Sequence, residues 1–190
     1  IDGEKWLTSS SKMKAVLSLT GKGYKAKALK RVFINKSGKT KKRPLGIPTM
    51  YDRAIQSLYA LALEPIAETT SDLRSFGFRK HRSTKDACPQ GFGWSGKRNS
   101  AQWVLEGDIK GCFDNINHQW LLTNIPIEKS VLTQFLKAGF IYQHHLNPTK
   151  AGTPQGGIIS PILTLFNLFW WNLNLGSIHE ITSKPSSYFK

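Results

Sequence analysis

The residues of this chain that could do chemistry lie in two short segments. Residues 104–114 read Val-Leu-Glu-Gly-Asp-Ile-Lys-Gly-Cys-Phe-Asp, and residues 152–161 read Gly-Thr-Pro-Gln-Gly-Gly-Ile-Ile-Ser-Pro. Asp108 ends an apolar run, follows a glycine and lies five residues before the aromatic Phe113, as the acid of a metal-held nucleotide site would. Because Mg²⁺ prefers hard carboxylate oxygens, Asp108 is the candidate catalytic and metal-binding residue. The Pro-Gln-Gly turn at residues 154–156 could form the wall of this nucleotide site.

The acids of the chain limit what such a site can hold. Nucleotidyl transfer uses two divalent ions about 3.5–4 Å apart, and one carboxylate cannot hold both. Glu106 shares a strand face with Asp108 and could approach the same ion, but two neighbours on one strand do not enclose a two-metal site. Asp114 is expected to help the turn, and Glu180 is the only acid among residues 161–190. The sequence therefore predicts a partial site, with Mg²⁺ as its cofactor if it is active and none otherwise.

Composition and charge indicate a globular protein with a polyanionic partner. The 190 residues are 39% apolar, which predicts one domain or two closely packed subdomains. The net charge is +15, and the first 43 residues contain thirteen Lys or Arg against two acids. Glycines interrupt this basic stretch, and it lacks the long amphipathic face that membrane binding requires. Nucleic acid is therefore the predicted partner.

The apolar segment 151–179 has no charged residue, but polar side chains and Pro161 interrupt it. A spanning helix needs about 20 predominantly apolar residues, so we expect a buried helix, with Ile158–Leu175 docking on the chain's own core or on a protein partner, and no membrane span. Two cysteines cannot form a disulfide framework, which favours a reducing, intracellular compartment. We expect a targeting segment to be absent or already removed.

Local patterns predict the elements that position these segments. Two β-suited runs, 31–35 and 41–47, flank the turn at 36–39 and indicate a hairpin, with Pro44 keeping the second strand at a sheet edge. Thr49 is the expected cap of a helix that Pro65 bends or ends.

Further along the chain, residues 89–96 are predicted to be irregular and residues 103–109 to form a strand. Asn117 is the expected cap of a helix near 118–124, and a second helix near 127–138 should end at Gly139.

Five segments together carry a resemblance to a known family. Besides the two segments above, residues 28–34 read Ala-Leu-Lys-Arg-Val-Phe-Ile, residues 42–53 read Lys-Arg-Pro-Leu-Gly-Ile-Pro-Thr-Met-Tyr-Asp-Arg, and residues 75–86 read Ser-Phe-Gly-Phe-Arg-Lys-His-Arg-Ser-Thr-Lys-Asp. In this order and spacing they resemble reverse transcriptases, in particular the group II intron-encoded type that doubles as a splicing maturase.

The resemblance implies an α+β, reverse-transcriptase-like right-hand polymerase fold with fingers and an incomplete palm. It places a fingers-like RNA-binding subdomain at 1–100, a partial palm at 101–176 and a divergent tail at 177–190. After Pro161 the match fades, and the family's Tyr-Ala-Asp-Asp segment, which supplies two further aspartates, does not occur in the 190 residues. At 89–96, where the family continues a helix, the irregular prediction departs from it.

The resemblance also implies roles for individual residues. The backbone amides of Gly111, Cys112 and Phe113 would hold the triphosphate, Gln155 would line the nucleotide pocket, and the Lys42–Arg43 pair would reach the phosphates. Each has a simpler structural alternative that stays open: Phe113 as a core aromatic, Gln155 as a turn residue, the basic pair as a solvated surface. Asp108 as a strand-end acid is also possible. The expected RNA contacts are Lys30, Arg31, Lys36, Lys39, Lys41, Arg79, Lys80 and Arg82.

Three functional hypotheses follow. The first is an RNA-binding protein derived from a truncated group II intron reverse transcriptase, acting in intron splicing or in a large ribonucleoprotein such as an organellar ribosome, with intron or ribosomal RNA as its ligand. The second is one chain of a split, active RNA-directed DNA polymerase. The third is a basic domain without an enzymatic past. The first is preferred, and its place is a mitochondrion, a chloroplast or a bacterial cytoplasm.

Overall fold

The computed structural model describes residues 3–36, 38–100, 103–104, 109, 111–175 and 184–185. Helices and strands are mixed along the described part of the chain. In chain order the elements are α1 Ser9–Ser18, β1 Leu29–Lys36, β2 Lys39–Ile47, α2 Met50–Thr70, α3 Thr84–Ser95, β3 Trp103–Val104, α4 Cys112–Asn115, α5 His118–Asn124, α6 Lys129–Lys137, β4 Phe140–Tyr142, β5 His145–Asn147, α7 Ser160–Leu175 and β6 Lys184–Pro185.

Four of the strands form one sheet in the order β2-β1-β4-β5. β1 and β2 pair antiparallel, with Arg31 opposite Gly46 and Phe33 opposite Pro44. β1 and β4 run parallel, and β4 and β5 form an antiparallel hairpin. β2 is an edge strand, which accommodates Pro44 because a proline has no N–H to donate to a neighbour. The predicted hairpin and the edge position of Pro44 are confirmed.

The core lies between α2, α7 and the α5–α6 pair. Ile55 and Leu63 of α2 are fully buried, and they belong to one apolar cluster with Leu163 of α7, Leu121 of α5 and Leu132 of α6. The inward residues of α2 recur at helical spacing, so one stripe of the helix supplies the core. Of the segment 158–175 that was predicted to be buried, Ile159, Ser160 and residues 163–166 are buried, residues 161, 162, 167 and 168 are half-buried, and Ile158 is exposed.

Capping residues set the start of several helices, as predicted. The Thr49 hydroxyl accepts a hydrogen bond from Asp52 N, and Asn117 Oδ1 accepts from Gln119 N and Trp120 N. α5 covers the predicted range, and α6 begins two residues later than its prediction and is followed by Gly139 at φ +69°. Such a positive φ favours glycine after a helix.

Two helices continue through a proline. Pro65 does not end α2, which runs to Thr70 because Leu63 and Ala67 on either side of the proline are buried in the core; that packing outweighs the hydrogen bond that Pro65 cannot make. The prediction that residues 89–96 are irregular is wrong. Residues 89–95 are helical, in line with the family's pattern. Ser83 and Asp86 form a capping box at the start of α3, and that local signal outweighs Pro89 and the glycines.

The predicted strand at 103–109 is observed at Trp103–Val104, and Ile109 is not in a strand. The remainder of that prediction, residues 105–108, lies outside the described residues. Across the described part of the chain, no helix combines the length and apolarity that a bilayer span requires. The mixed α and β architecture agrees with the predicted fold class.

Candidate nucleotide pocket and basic surface

The two segments that the sequence analysis singled out lie against each other. Gly152 N donates to the carbonyl of Ile116 at 2.8 Å, and Thr153 N donates to the carbonyl of Phe113 at 2.7 Å. Gly152 has φ +80°, and a Cβ there would lie 2.7 Å from Asp114 Cα. A glycine is needed because both the backbone angle and the close approach exclude a side chain. The loop before α7 is thus fixed against the turn that begins α4.

Gln155 joins this loop to the β1–β2 hairpin through its backbone and its side chain. Its carbonyl accepts a 2.7 Å hydrogen bond from Gly46 N, and its Oε1 accepts a 2.8 Å bond from Arg43 Nε. Gly156, at φ +108°, lets the loop approach β2, since a Cβ there would lie 2.9 Å from Gly46 O. Two of the candidate nucleotide-binding residues, Arg43 and Gln155, are therefore in direct contact.

The other candidates are placed differently. Gly111 precedes α4 with φ +64°, and the half-buried Phe113 packs edge-to-face on Phe78, with ring centroids 5.8 Å apart. Lys42 is exposed and opposite Asn35, whereas Arg43 is opposite Ile34. Because neighbouring residues of a strand point to opposite faces, Lys42 and Arg43 do not converge on one pocket. Cys112 is half-buried.

The expected metal centre lies outside the described residues, since Asp108 and Glu106 are both among those that the structure leaves out. Among the residues that are described, no group of three or more His, Cys, Asp or Glu is arranged to hold a metal ion. Asp114, at the start of α4, offers an exposed carboxylate near the loop. These donors alone do not fit a two-ion Mg²⁺ centre, which needs several carboxylates.

Arg79, expected from sequence to bind RNA, has a structural position instead. Its side chain is 1% exposed, its Nε and Nη2 donate to the carboxylate of Glu68, and its Nη1 donates to the carbonyls of Asp72 and Ser75. Arg79, followed by the smaller contribution of Arg82, holds the pKa of Glu68 below its ordinary value. A guanidinium enclosed in this way ties the loop after α2 to the helix and does not face solvent.

Other expected RNA contacts are more open. Lys80 pairs with Glu64 but keeps 61% of its side chain exposed, and Arg82 hydrogen-bonds Glu68 and the Leu73 carbonyl at 24% exposure. Lys30 is exposed on β1, and Arg31 is half-buried with its guanidinium 3.8 Å from the centre of the Phe140 ring. The side chains of Lys36, Lys39 and Lys41 at the hairpin tip lie outside the described part.

The structure adds residues that sequence reasoning missed. The β4–β5 hairpin, absent from the sequence predictions, brings Phe140 against Arg31. Thr153, two residues before the predicted Gln155, has a buried hydroxyl and lines the same cavity as Arg31 and Asp114. The three consecutive β-suited residues at 140–142 were the available signal, but a run of three residues is too short to distinguish a strand.

Comparison with known proteins identifies the family. The sequence profile described as reverse transcriptase (RNA-dependent DNA polymerase) matches residues 34–173. That range covers most of the chain and includes β2, α2 and the loop before α7. The chain belongs to the reverse transcriptase family.

Within this family, the chain is similar to proteins encoded in introns, including a group II intron-encoded protein. The group II intron-encoded protein LtrA of Lactococcus lactis subsp. cremoris is 41% identical over 82% of this chain, and protein YkfC of Escherichia coli is 34% identical over 74%. A 91 kDa protein in the cob intron of Schizosaccharomyces pombe is 33% identical over 93%. The chain spans 26%, 39% and 21% of these relatives' lengths. The resemblance to group II intron reverse transcriptases and maturases is confirmed.

Proposed function

We propose that this chain is the RNA-binding fingers and adjoining palm portion of a group II intron reverse transcriptase and maturase, and that its ligand is intron RNA. The excess of eleven positive charges in the first 43 residues, thirteen basic residues against two acids, supports a phosphate-binding surface. Two of the relatives are named as intron proteins, LtrA and the 91 kDa protein in the cob intron, which favours intron RNA over ribosomal RNA. Its place of action would be an organelle or a bacterial cytoplasm.

The contact between Arg43 and Gln155 is the observation that carries the proposal. An arginine has five N–H donors in a fixed fork, and Gln155 engages only Nε. The terminal guanidinium nitrogens keep their orientation and remain able to bind a phosphate. Such preorganisation is what a nucleotide pocket needs, whereas a generic basic surface does not require a bond between a hairpin and a distant loop.

The exposed lysines complete the proposed surface. Lys30, Lys42 and Lys80 are open to solvent, and single positive charges on flexible stems contact phosphates without reading sequence. Arg79 is left out of this surface because its guanidinium is enclosed by Glu68 and carbonyl groups. Lys36, Lys39 and Lys41 stay in the proposal on the strength of the sequence.

A second candidate function is that of one chain of a split, active RNA-directed DNA polymerase. The hydrogen bonds from Gly152 N and Thr153 N to the carbonyls of Ile116 and Phe113 support it, because they join the two segments that would form a nucleotide pocket. The separate role of a ribosomal component has no specific observation behind it. Splicing assistance and polymerase activity share the same RNA surface and differ in chemistry.

Primer extension separates the two candidates. Because the sequence offers Asp108 as its candidate metal-binding acid and no Tyr-Ala-Asp-Asp segment among the 190 residues, these residues alone should extend no primer on an RNA template, even at high Mg²⁺ or Mn²⁺. If the split-polymerase candidate is right, adding a chain that bears the family's aspartate pair restores extension, and Asp108→Ala abolishes it while RNA affinity stays nearly intact. Extension by the isolated chain would overturn the proposal of a purely RNA-binding part.

A further inference from the structure

A side chain of the core helix α2 holds the end of the turn that carries Gln155. This turn comprises residues 154–158, just before α7, and we call it the Gln155 turn. Its last residue, Ile158, donates a 2.9 Å hydrogen bond from its backbone N to Gln56 Oε1, 102 residues earlier in the chain. Through this bond, α2 holds the backbone of the turn.

Gln56 is a polar residue at a core position. It is 4% exposed and lies on the stripe of α2 that also contains the fully buried Ile55 and Leu63. A buried carboxamide costs free energy unless its polar atoms are hydrogen-bonded, and an apolar side chain would pack there without that cost. What the carboxamide provides at this position is the bond to Ile158 N.

The start of the Gln155 turn is held in the same way. Ser160 is 1% exposed, and its Oγ donates a 2.9 Å hydrogen bond to the Pro154 carbonyl. Gly157 lies between the two anchors, since a Cβ there would be 2.7 Å from Ser160 Oγ and 3.3 Å from Gln56 Oε1. The absence of a side chain at residue 157 therefore lets both anchoring side chains reach the turn.

One stretch of chain supplies both Arg43 and Gln56. Arg43 lies in β2 and Gln56 in α2, and only the buried Pro48 and Thr49 connect these two elements. β2 holds Gln155 through its Oε1 and its carbonyl, and α2 holds the end of the same turn. Attachment on two sides limits the movement of Gln155 relative to the Arg43 guanidinium, and a preorganised site needs such support.

We infer that Gln56 is a positioning residue of the proposed nucleotide pocket. It does not contact the nucleotide and acts through the backbone of the Gln155 turn, which it fixes so that Gln155 meets Arg43. The inference deepens the proposed function and rests on it. If Gln56 instead served only the stability of the fold, its replacement would lower stability and leave nucleotide affinity unchanged.

Titration of the 190-residue chain with a fluorescent deoxynucleoside triphosphate tests this role. Gln56→Met, which keeps the size of the side chain and removes the acceptor, should weaken nucleotide affinity by about 2- to 12-fold, the usual range for one hydrogen bond. Tyr24→Phe is the matched control, because it removes a bond to the buried Asp52 of the same helix and not a bond to the Gln155 turn. Tyr24→Phe should lose stability and bind the nucleotide like wild type.

A double-mutant cycle with Gln155→Leu separates positioning from a general effect on the fold. Gln56→Met should weaken the affinity of the Gln155→Leu protein by less than about two-fold, since its route to the nucleotide is already broken, while its effect on urea stability should be similar in both backgrounds. A full additional loss of affinity in the Gln155→Leu protein, or wild-type affinity of Gln56→Met, would overturn the inference and leave the proposed function standing.

Hydrogen exchange of the wild-type protein gives a readout that needs no variant. The Ile158 amide should exchange as slowly as the buried amides of α2, because its bond to Gln56 breaks only when the turn leaves the helix. Exchange as fast as that of an exposed loop would show that Gln56 does not hold the turn, and it too would overturn the inference. If Gln155→Leu binds the nucleotide like wild type, or wild type binds none, the Arg43–Gln155 pocket is refuted, and the inference fails together with the observation that carries the proposed function.

Discussion

Arg43 Nε and Gln155 Oε1 form a 2.8 Å hydrogen bond although 112 residues of chain separate them. The Gly46–Gln155 backbone bond beside it makes the contact a two-point attachment between the hairpin and the loop before α7. Both side chains were predicted from sequence to serve one nucleotide pocket, and the structure brings them together. The bond leaves the terminal guanidinium nitrogens for a phosphate, which leads to the first prediction.

Removal of either partner of this bond should weaken nucleotide binding. Arg43→Ala or Gln155→Leu is expected to lower the affinity for a deoxynucleoside triphosphate by about 10- to 100-fold, the usual loss for hydrogen bonds to charged groups. Lys42→Ala is the control, because its neighbouring position has the same charge but faces the other side of the sheet. Titration with a fluorescent nucleotide measures the difference. Equal losses for Lys42→Ala and Arg43→Ala would contradict this prediction, because they would show that the nucleotide is bound by a non-directional basic surface and not by a pocket.

The buried Asp52 carboxylate should make Tyr24 important for stability. The Tyr24 hydroxyl donates a 2.6 Å bond to Asp52 Oδ1, and the Thr49 hydroxyl donates to Oδ2. Tyr24→Phe should lower the free energy of unfolding by about 1–3 kcal/mol, because it removes one bond to a buried charge. Tyr51→Phe, which loses only an exposed bond to the Ser18 carbonyl, should cost less. Urea unfolding would test this, and equal costs would contradict it.

Burial, followed by the bond to Asp52, raises the pKa of Tyr24 above its ordinary 10.0. A raised pKa means that the folded state keeps a proton which the unfolded state releases. Stability from Tyr24 is therefore fully present below about pH 10 and is lost as the pH rises further. Tyr24→Phe should remove part of this alkaline decline when unfolding is followed between pH 9 and 11.

Glu68 should give the loop after α2 an acid sensitivity. Hydrogen bonds from Arg79 lower the pKa of this carboxyl below its ordinary 4.5. Its contribution to stability is therefore present above about pH 4.5 and is lost as the pH falls through the lowered value. Hydrogen exchange of residues 72–82 between pH 3 and 6 should report the loss. Glu68→Gln should flatten the change, while Glu64→Gln, whose partner Lys80 is mostly exposed, should leave it in place.

Gly152→Ala should destabilise the junction between the loop and α4. The positive φ alone costs about 1–3 kcal/mol for a residue with a side chain, and the new Cβ would collide with the backbone of Asp114. Gly91→Ala is the matched control, because Gly91 lies in α3 with nothing within 4 Å of an added Cβ. The free energy of unfolding of that variant, measured by thermal unfolding, should be about 0.5–1 kcal/mol higher than that of wild type. A Gly152→Ala protein as stable as wild type would show that the loop can move away.

Structural elements could be predicted from the sequence wherever interactions between neighbouring residues determine them. Thr49, Asn117 and the hairpin turn predicted their elements because capping and turn chemistry involve neighbours only. The sequence could not show that α2 continues past Pro65, because the burial of Leu63 and Ala67 depends on α7, which is distant in sequence. Burial of Arg79 was equally invisible, since its partner Glu68 could be identified only after the loop had folded back on α2.

The same distinction between local signals and long-range contacts applies to the candidate site. The resemblance to the family implied nucleotide-binding roles for Arg43 and Gln155, and the structure shows that their side chains are in contact. Sequence could not assign the opposite faces of Lys42 and Arg43, because the register of β1 with β2 fixes them. The pairing of Arg31 with Phe140 also depends on the parallel contact of β1 with β4, a long-range arrangement with no short sequence signature.

The salt dependence of RNA binding tests the central claim most directly. If the basic hairpin contacts about 6–10 phosphates, wild-type affinity for group II intron RNA should fall by about 10³–10⁵ between 50 and 200 mM salt. Replacing Lys39, Lys41, Lys42 and Arg43 with glutamine should flatten that slope. The same change at four exposed lysines elsewhere, Lys85, Lys97, Lys129 and Lys137, should flatten it less. If the hairpin variant has the same salt dependence of RNA affinity as wild type, the basic hairpin is not the RNA contact and the central claim is contradicted.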